Sequence, residues 1–109
     1  MVWNGSVPKN SLENEDVLSL AKIVQAVKNN YLIEVEEIKK DKFIEKTIKS
    51  LKKGFFVYLI KNKLMYVIFK NHMFKFSKGY PELETAREYG RKMGVSEKDM
   101  DFEAFLESS

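Results

Sequence analysis

The chain has 109 residues, 44% of them apolar and including eight Phe, five Tyr and one Trp, which is enough for one domain with a substantial core and too short for a second. It has no cysteine, which excludes a disulfide framework, a thiol nucleophile and a thiolate metal site, and which fits an intracellular reducing compartment. The formal charge of +3 hides a segregation, because residues 39–78 carry twelve Lys against only Asp41 and Glu45 while the flanks on both sides are net acidic.

Apolar runs are no longer than Phe55–Ile60, and Met1–Lys9 has no charged stretch leading into an apolar one. The expectation is a cytoplasmic protein with no membrane segment. Abundant Lys and Glu beside a single Gln, Gln25, is the compositional bias of hyperthermophiles and hints at a thermophilic source. Residues 1–10 hold Gly, Pro, Ser and two Asn without periodicity and read as a flexible N-terminal arm, with Trp3 the one residue suited to docking. Residues 11–109 then form a single α+β domain.

A first helix is expected from Asn14, as cap, to Lys28, with Val17, Leu20, Ala21, Val24 and Val27 at helical spacing and Asn29-Asn30 closing it. Residues 31–38 read as a half-exposed strand, with Tyr31, Ile33 and Val35 opposite Glu34 and Glu36; a helix through Leu32, Val35 and Ile38 is the competing reading. Asp41 to Lys53 reads as a second helix ended by Gly54. Its core face would be Phe43, Ile44, Thr47, Ile48 and Leu51, and Lys42, Lys46, Lys49 and Lys53 would form a stripe opposite.

Three strands of a meander follow over 55–77, Phe55–Ile60, Leu64–Phe69 and Met73–Ser77, with an Asn in each short turn to take positive φ. The first two are apolar at both parities and need cover on both faces, whereas Lys75 marks the third as an edge. Pro81, Glu82 and Glu84 at one end and Arg87, Arg91 and Lys92 toward the other define a further helix. Leu83, Ala86, Gly90 and Met93 make it a seam of mostly small residues. Gly94 stops it, Ser96-Glu97-Lys98-Asp99 resembles a capping box, and a short acidic segment with Phe102, Phe105 and Leu106 ends the chain. The predicted order is α-β-α-β-β-β-α-α around a mostly antiparallel four-stranded sheet.

Catalytic chemistry has little to build on. His72, the sole histidine, sits in a predicted turn, no Gly-rich phosphate loop occurs, and no serine lies in a strand-to-helix elbow. Asp99, Asp101 and Glu103 alternate as a calcium loop would begin, but the sixth position is Ala104 and no twelfth-position Glu follows. No cofactor, metal site or catalytic residue is therefore expected. What remains is a non-enzymatic interaction module, self-associating as a homo-oligomer or binding a protein partner, because apolar sheet faces call for cover and the acidic C-terminal segment of one copy suits the lysine block of another. The alternative is sequence-independent nucleic-acid binding by Lys42, Lys46, Lys49, Lys53, Lys61, Lys63 and Lys70; the block has no arginine for bidentate base or phosphate recognition. The ordinary reading of the same lysines is a solvated helix face.

Overall fold

Six extended segments pair into one antiparallel sheet in the computed structural model, which describes residues 1–108; Ser109, the end of the expected domain, lies outside the described residues. The strands are β1 (Val2–Pro8), β2 (Lys22–Val27), β3 (Asn30–Glu36), β4 (Val57–Lys61), β5 (Leu64–Phe69) and β6 (His72–Ser77), and their order is β2-β3-β1-β4-β5-β6. Helix α1 (Lys40–Ser50) connects β3 to β4, and α2 (Pro81–Lys92) and α3 (Phe102–Glu107) follow the meander. The protein is thus a small α+β domain, with a sheet of six strands rather than the expected four.

Both changes lie in the first thirty or so residues. Val2–Pro8 is not an arm but a central strand, paired over its whole length with β3 and over Asn4–Ser6 with β4. Trp3, Gly5 and Val7 point inward and Asn4, Ser6 and Pro8 outward, an alternation obscured in the sequence because glycine carries no apolar signal. Glycine is required there, since a Cβ on Gly5 would run into the Tyr58 carbonyl oxygen of β4. The expected helix over Asn14–Lys28 is only a short 3-10 helix, Glu15–Leu20, followed by β2. Asn14 does cap that turn, its Oδ1 accepting the Asp16 N–H at 2.9 Å. Ile23, Val24 and Val27 are β-branched and favour a strand; Ile23 and Val27 pair with β3, Val24 sits in a bulge between Ile23 and Gln25, and Lys28, at φ 51°, opens the two-residue hairpin turn.

The later elements follow the pattern. Asn62 and Asn71 take positive φ in the meander turns, Gly94 does so after α2, and β6 is the sheet edge. Helix α1 is shorter than expected: a 3-10 turn, Glu37–Lys39, precedes it and it stops at Ser50, so Asp41 is not its cap and Lys53 lies beyond it. Ser96 makes no side-chain capping bond to the turn Glu97–Asp99. Strands β3 and β4 are each antiparallel to β1 and so parallel to one another, with β1 filling the place between them.

The sheet has a core on each face. One holds Trp3, Val7, Ile33, Val35, Leu59 and Ile68 beneath Phe43 and Ile44 of α1 and Val17 of the first turn. The other holds Met65, Val67, Phe69 and Phe76 beneath Leu83 and Ala86 of α2 and Met100, Phe102 and Leu106 of the C-terminal segment. Gly90 lets α2 approach closely, since a Cβ there would collide with Met100 and press on Phe69. The central strands β4 and β5 are therefore covered on both faces by the chain's own helices.

Two expectations concern stability. Gly5→Ala should destabilise by about 1–3 kcal/mol in urea unfolding, because the added methyl must separate β1 from β4. Phe43→Ala should cost about 3–5 kcal/mol, and more than Ile48→Ala, because Phe43 is fully buried and Ile48 only half-buried.

Candidate interaction surfaces

The structure divides the lysine block. Lys42, Lys46 and Lys49 lie on the exposed side of α1, and the β5–β6 turn that carries Lys70 is tied to the same helix by the Asn71 N–H donating to the Ile48 carbonyl at 3.1 Å. Lys53 follows in the loop. Lys49 has Glu45 one turn away at 3.9 Å, whereas among the described residues Lys42, Lys46, Lys53 and Lys70 have no carboxylate within ion-pair distance. The other two candidates belong elsewhere. Lys61 pairs with Glu37, and Lys63 reaches across to the Leu106 and Glu107 carbonyls at 3.4 and 3.5 Å. With Lys78 also paired to Glu107, the acidic C-terminal segment neutralises part of the block within one chain.

A second surface was not among the residues singled out by the sequence. All six residues of β2 are exposed, and β2 is an edge strand with β3 on one side and, among the described residues, no strand on the other. Ile23 is 44%, Val24 54% and Val27 37% exposed, beside Leu32 of β3 at 37%. These are four of the seven large apolar side chains left exposed among the described residues, so the uncovered apolar surface is concentrated on one hairpin. No charge interrupts Ile23–Val27 between Lys22 and Lys28. The opposite edge, β6, has Lys75 in its middle and α2 packed against it. A bulge between Ile23 and Gln25 is the one feature of β2 that works against regular pairing. Helical spacing disguised this strand; the signal that betrays it is the density of β-branched residues without any charged face.

Beside the hairpin runs a groove of about 730 Å³. The hairpin tip contributes Val27, Lys28 and Leu32, and the opposite wall is Phe55, Phe56, Tyr58, Val95 and Phe105, with Lys98, Asp99 and Asp101 at the rim. It exists because α2 and α3 cover β4 to β6 and leave this face of β1 to β3 open. The Tyr58 ring stacks on Phe105 at 4.8 Å between centroids, and burial pushes its phenol above the ordinary value.

Groups with chemical potential are engaged in packing. The His72 ring lies 4.5 Å from Phe74 and 5.1 Å from Tyr89. Arg87 is shared between Glu84 and Glu103, which fastens α2 to α3. Trp3 donates its indole N–H to Glu37 Oε1 at 3.1 Å while Lys40 and Lys61 sit over its ring at 5.3 and 5.1 Å. Burial draws the Lys40 ammonium down, but its bonds to Tyr66 and Asp41 outweigh this and leave it raised. No group of three or more metal-ligating side chains occurs among the described residues. No helix among them is long and apolar enough to cross a membrane. Comparison with family models, curated proteins and solved structures finds no match.

The Lys61 hydrogen bond holds the Glu37 carboxyl below its ordinary value of 4.5, with smaller help from Trp3. A carboxyl that is more acidic when folded stabilises fully above its unfolded value, and the contribution disappears as the pH falls through the folded one. Glu37→Gln should therefore lose stability relative to wild type at neutral pH, with the difference shrinking on acidification below pH 4.5, as followed by the fluorescence of Trp3.

Proposed function

We propose that this protein is a non-enzymatic, cytoplasmic interaction module that docks a protein partner by strand addition at β2. The observation that carries the reading is the unpaired β2 edge, exposed along its whole length and uncharged from Ile23 to Val27. An edge of this kind presents a row of free N–H and C=O groups, so an incoming strand gains main-chain hydrogen bonds and sets alternate side chains against the apolar surface on either face. The adjoining groove gives side chains on one of those faces a place to be buried.

Amide exchange tests this reading. An excess of an extended Val- and Ile-rich peptide should slow exchange severalfold at the β2 amides and leave β6 unchanged. Val24→Lys, which places mid-strand the kind of charge that β6 already carries, should abolish the effect without unfolding the domain. Unaltered exchange at β2 would remove the reading.

A second reading is favoured by Lys42, Lys46, Lys53 and Lys70, which lack acidic partners among the described residues and lie on or beside α1. They support sequence-independent binding of a nucleic acid through its phosphates. Replacing Lys42, Lys46, Lys49 and Lys70 with Gln should then weaken binding to duplexes of any sequence alike. The slope of log K against log salt should flatten by about 0.9 for each ammonium–phosphate pair removed. Absence of measurable affinity at about 50 mM salt would mean that these lysines are a solvated face only.

A further inference from the structure

We propose that the groove beside the hairpin binds an uncharged sugar, whose hydroxyls meet polar groups on the sheet floor while its C–H face lies against an aromatic wall. The site is separate from the β2 edge and does not depend on strand addition there.

Strand register sets the floor. Ser6 of β1 lies between Leu32 of β3 and Tyr58 of β4, and Pro8 lies beside Asn30, so a hydroxyl, a phenol and a carboxamide belong to one face of three adjoining strands. The wall is aromatic and half-buried. Phe56 lies 6.5 Å from Tyr58 between ring centroids, and Phe105 stacks on Tyr58 from α3.

The polar groups of this lining have no protein partner. Among the described residues, the side chains of Ser6, Asn29, Asn30 and Tyr58 make no hydrogen bond, and Lys28, Lys98, Asp99 and Asp101 make no ion pair. Tyr58 is the sharpest case, because a tyrosine hydroxyl carried so far into a domain usually finds a partner, and here only the groove can supply one.

The ligand class follows from what the lining can satisfy. Its two ammonium groups and two carboxylates cancel, which leaves no net charge to draw in a polyanion or a polycation. A wholly apolar ligand would strip water from the hydroxyls and carboxamides and return no hydrogen bonds. A neutral ring with hydroxyls on its rim and an apolar face meets both demands. Asn29, Asn30, Asp99 and Asp101 each offer two terminal atoms side by side, which suits a pair of neighbouring hydroxyls, and Lys28 and Lys98 can donate to the same oxygens. The weakly positive C–H face of a sugar ring complements the negative faces of the aromatic wall. At about 730 Å³ the groove has room for more than one such ring.

NMR titration of the protein with cellohexaose, maltohexaose and chitohexaose tests the inference, with adenosine as a neutral ring ligand of a different kind. At least one of the sugars should shift the amides of Ser6, Asn30 and Tyr58 with a dissociation constant on the order of 1 mM or tighter. The shifts should persist at about 0.5 M salt, because no net charge is involved. Tyr58→Phe removes one hydroxyl and should weaken binding about 3- to 10-fold while leaving the urea midpoint unchanged, since that hydroxyl bonds nothing in the protein. Lys46→Gln, on the exposed side of α1, should leave binding unaltered. A Tyr58→Phe variant that loses stability but keeps full affinity would make the hydroxyl a structural group and overturn the assignment. Shifts with adenosine and none of the sugars, or no shift at the groove with any of them at about 10 mM, would overturn it equally.

Discussion

The insertion of β1 between β3 and β4 is the contact on which the rest of this domain depends. Without it the chain would be two separate antiparallel units, the hairpin β2–β3 and the meander β4–β6, neither with a complete core. The junction with β4 is short, Asn4–Ser6 against Tyr58–Ile60, and it closes only because Gly5 presents no side chain to the Tyr58 carbonyl. Trp3 reinforces it from the side. Its ring meets Tyr66 of β5 edge-on at 5.2 Å, and Lys40 from α1 and Lys61 from β4 both lie over it, so one aromatic side chain gathers three later elements around the first strand.

Burial requirements then explain where the apolar surface is left over. Strands β4 and β5 are apolar at both parities and receive α1 on one face and α2 with α3 on the other. The available helices are spent on those strands. Toward the other end of the sheet one face keeps its cover, through Phe43 and Val17 over Ile33 and Val35, while the opposite face of β1 to β3 is open and β2 lacks cover on either. Groove and free edge are thus two results of one shortage, and they adjoin because both belong to the hairpin.

How far the sequence disclosed this varies with the kind of signal. The meander, its Asn turns and α2 were legible because short polar turns, alternating Phe and Lys in β6, and Pro, acid and base in their helix positions are local features. Strand β3 was legible through Ile33 and Val35 against Glu34 and Glu36. The first two strands were not. Gly5 breaks the alternation of β1 for a reason found only in β4, fifty residues away in sequence, and β2 has helical spacing because an edge exposed on both faces imposes no period of two. The lysines were countable, but their separation into the α1 side, the Glu37 pair and the α3 carbonyls depends on tertiary placement. The edge missed in the sequence is the same feature that now carries the functional reading.

A central strand that precedes both of its sheet neighbours along the chain also has consequences in time. β1 can meet β3 once some thirty residues have followed it, but its other side waits for β4, whose partner residues begin at Tyr58. Closing so long a loop is entropically costly, and a ribosome that adds residues in order prolongs the wait. Throughout that interval the nascent sheet has a bare β1 side that β4 has yet to cover. The N-terminal half is therefore the vulnerable stage of synthesis, exposed to mispairing with neighbouring chains until the meander emerges and seals it.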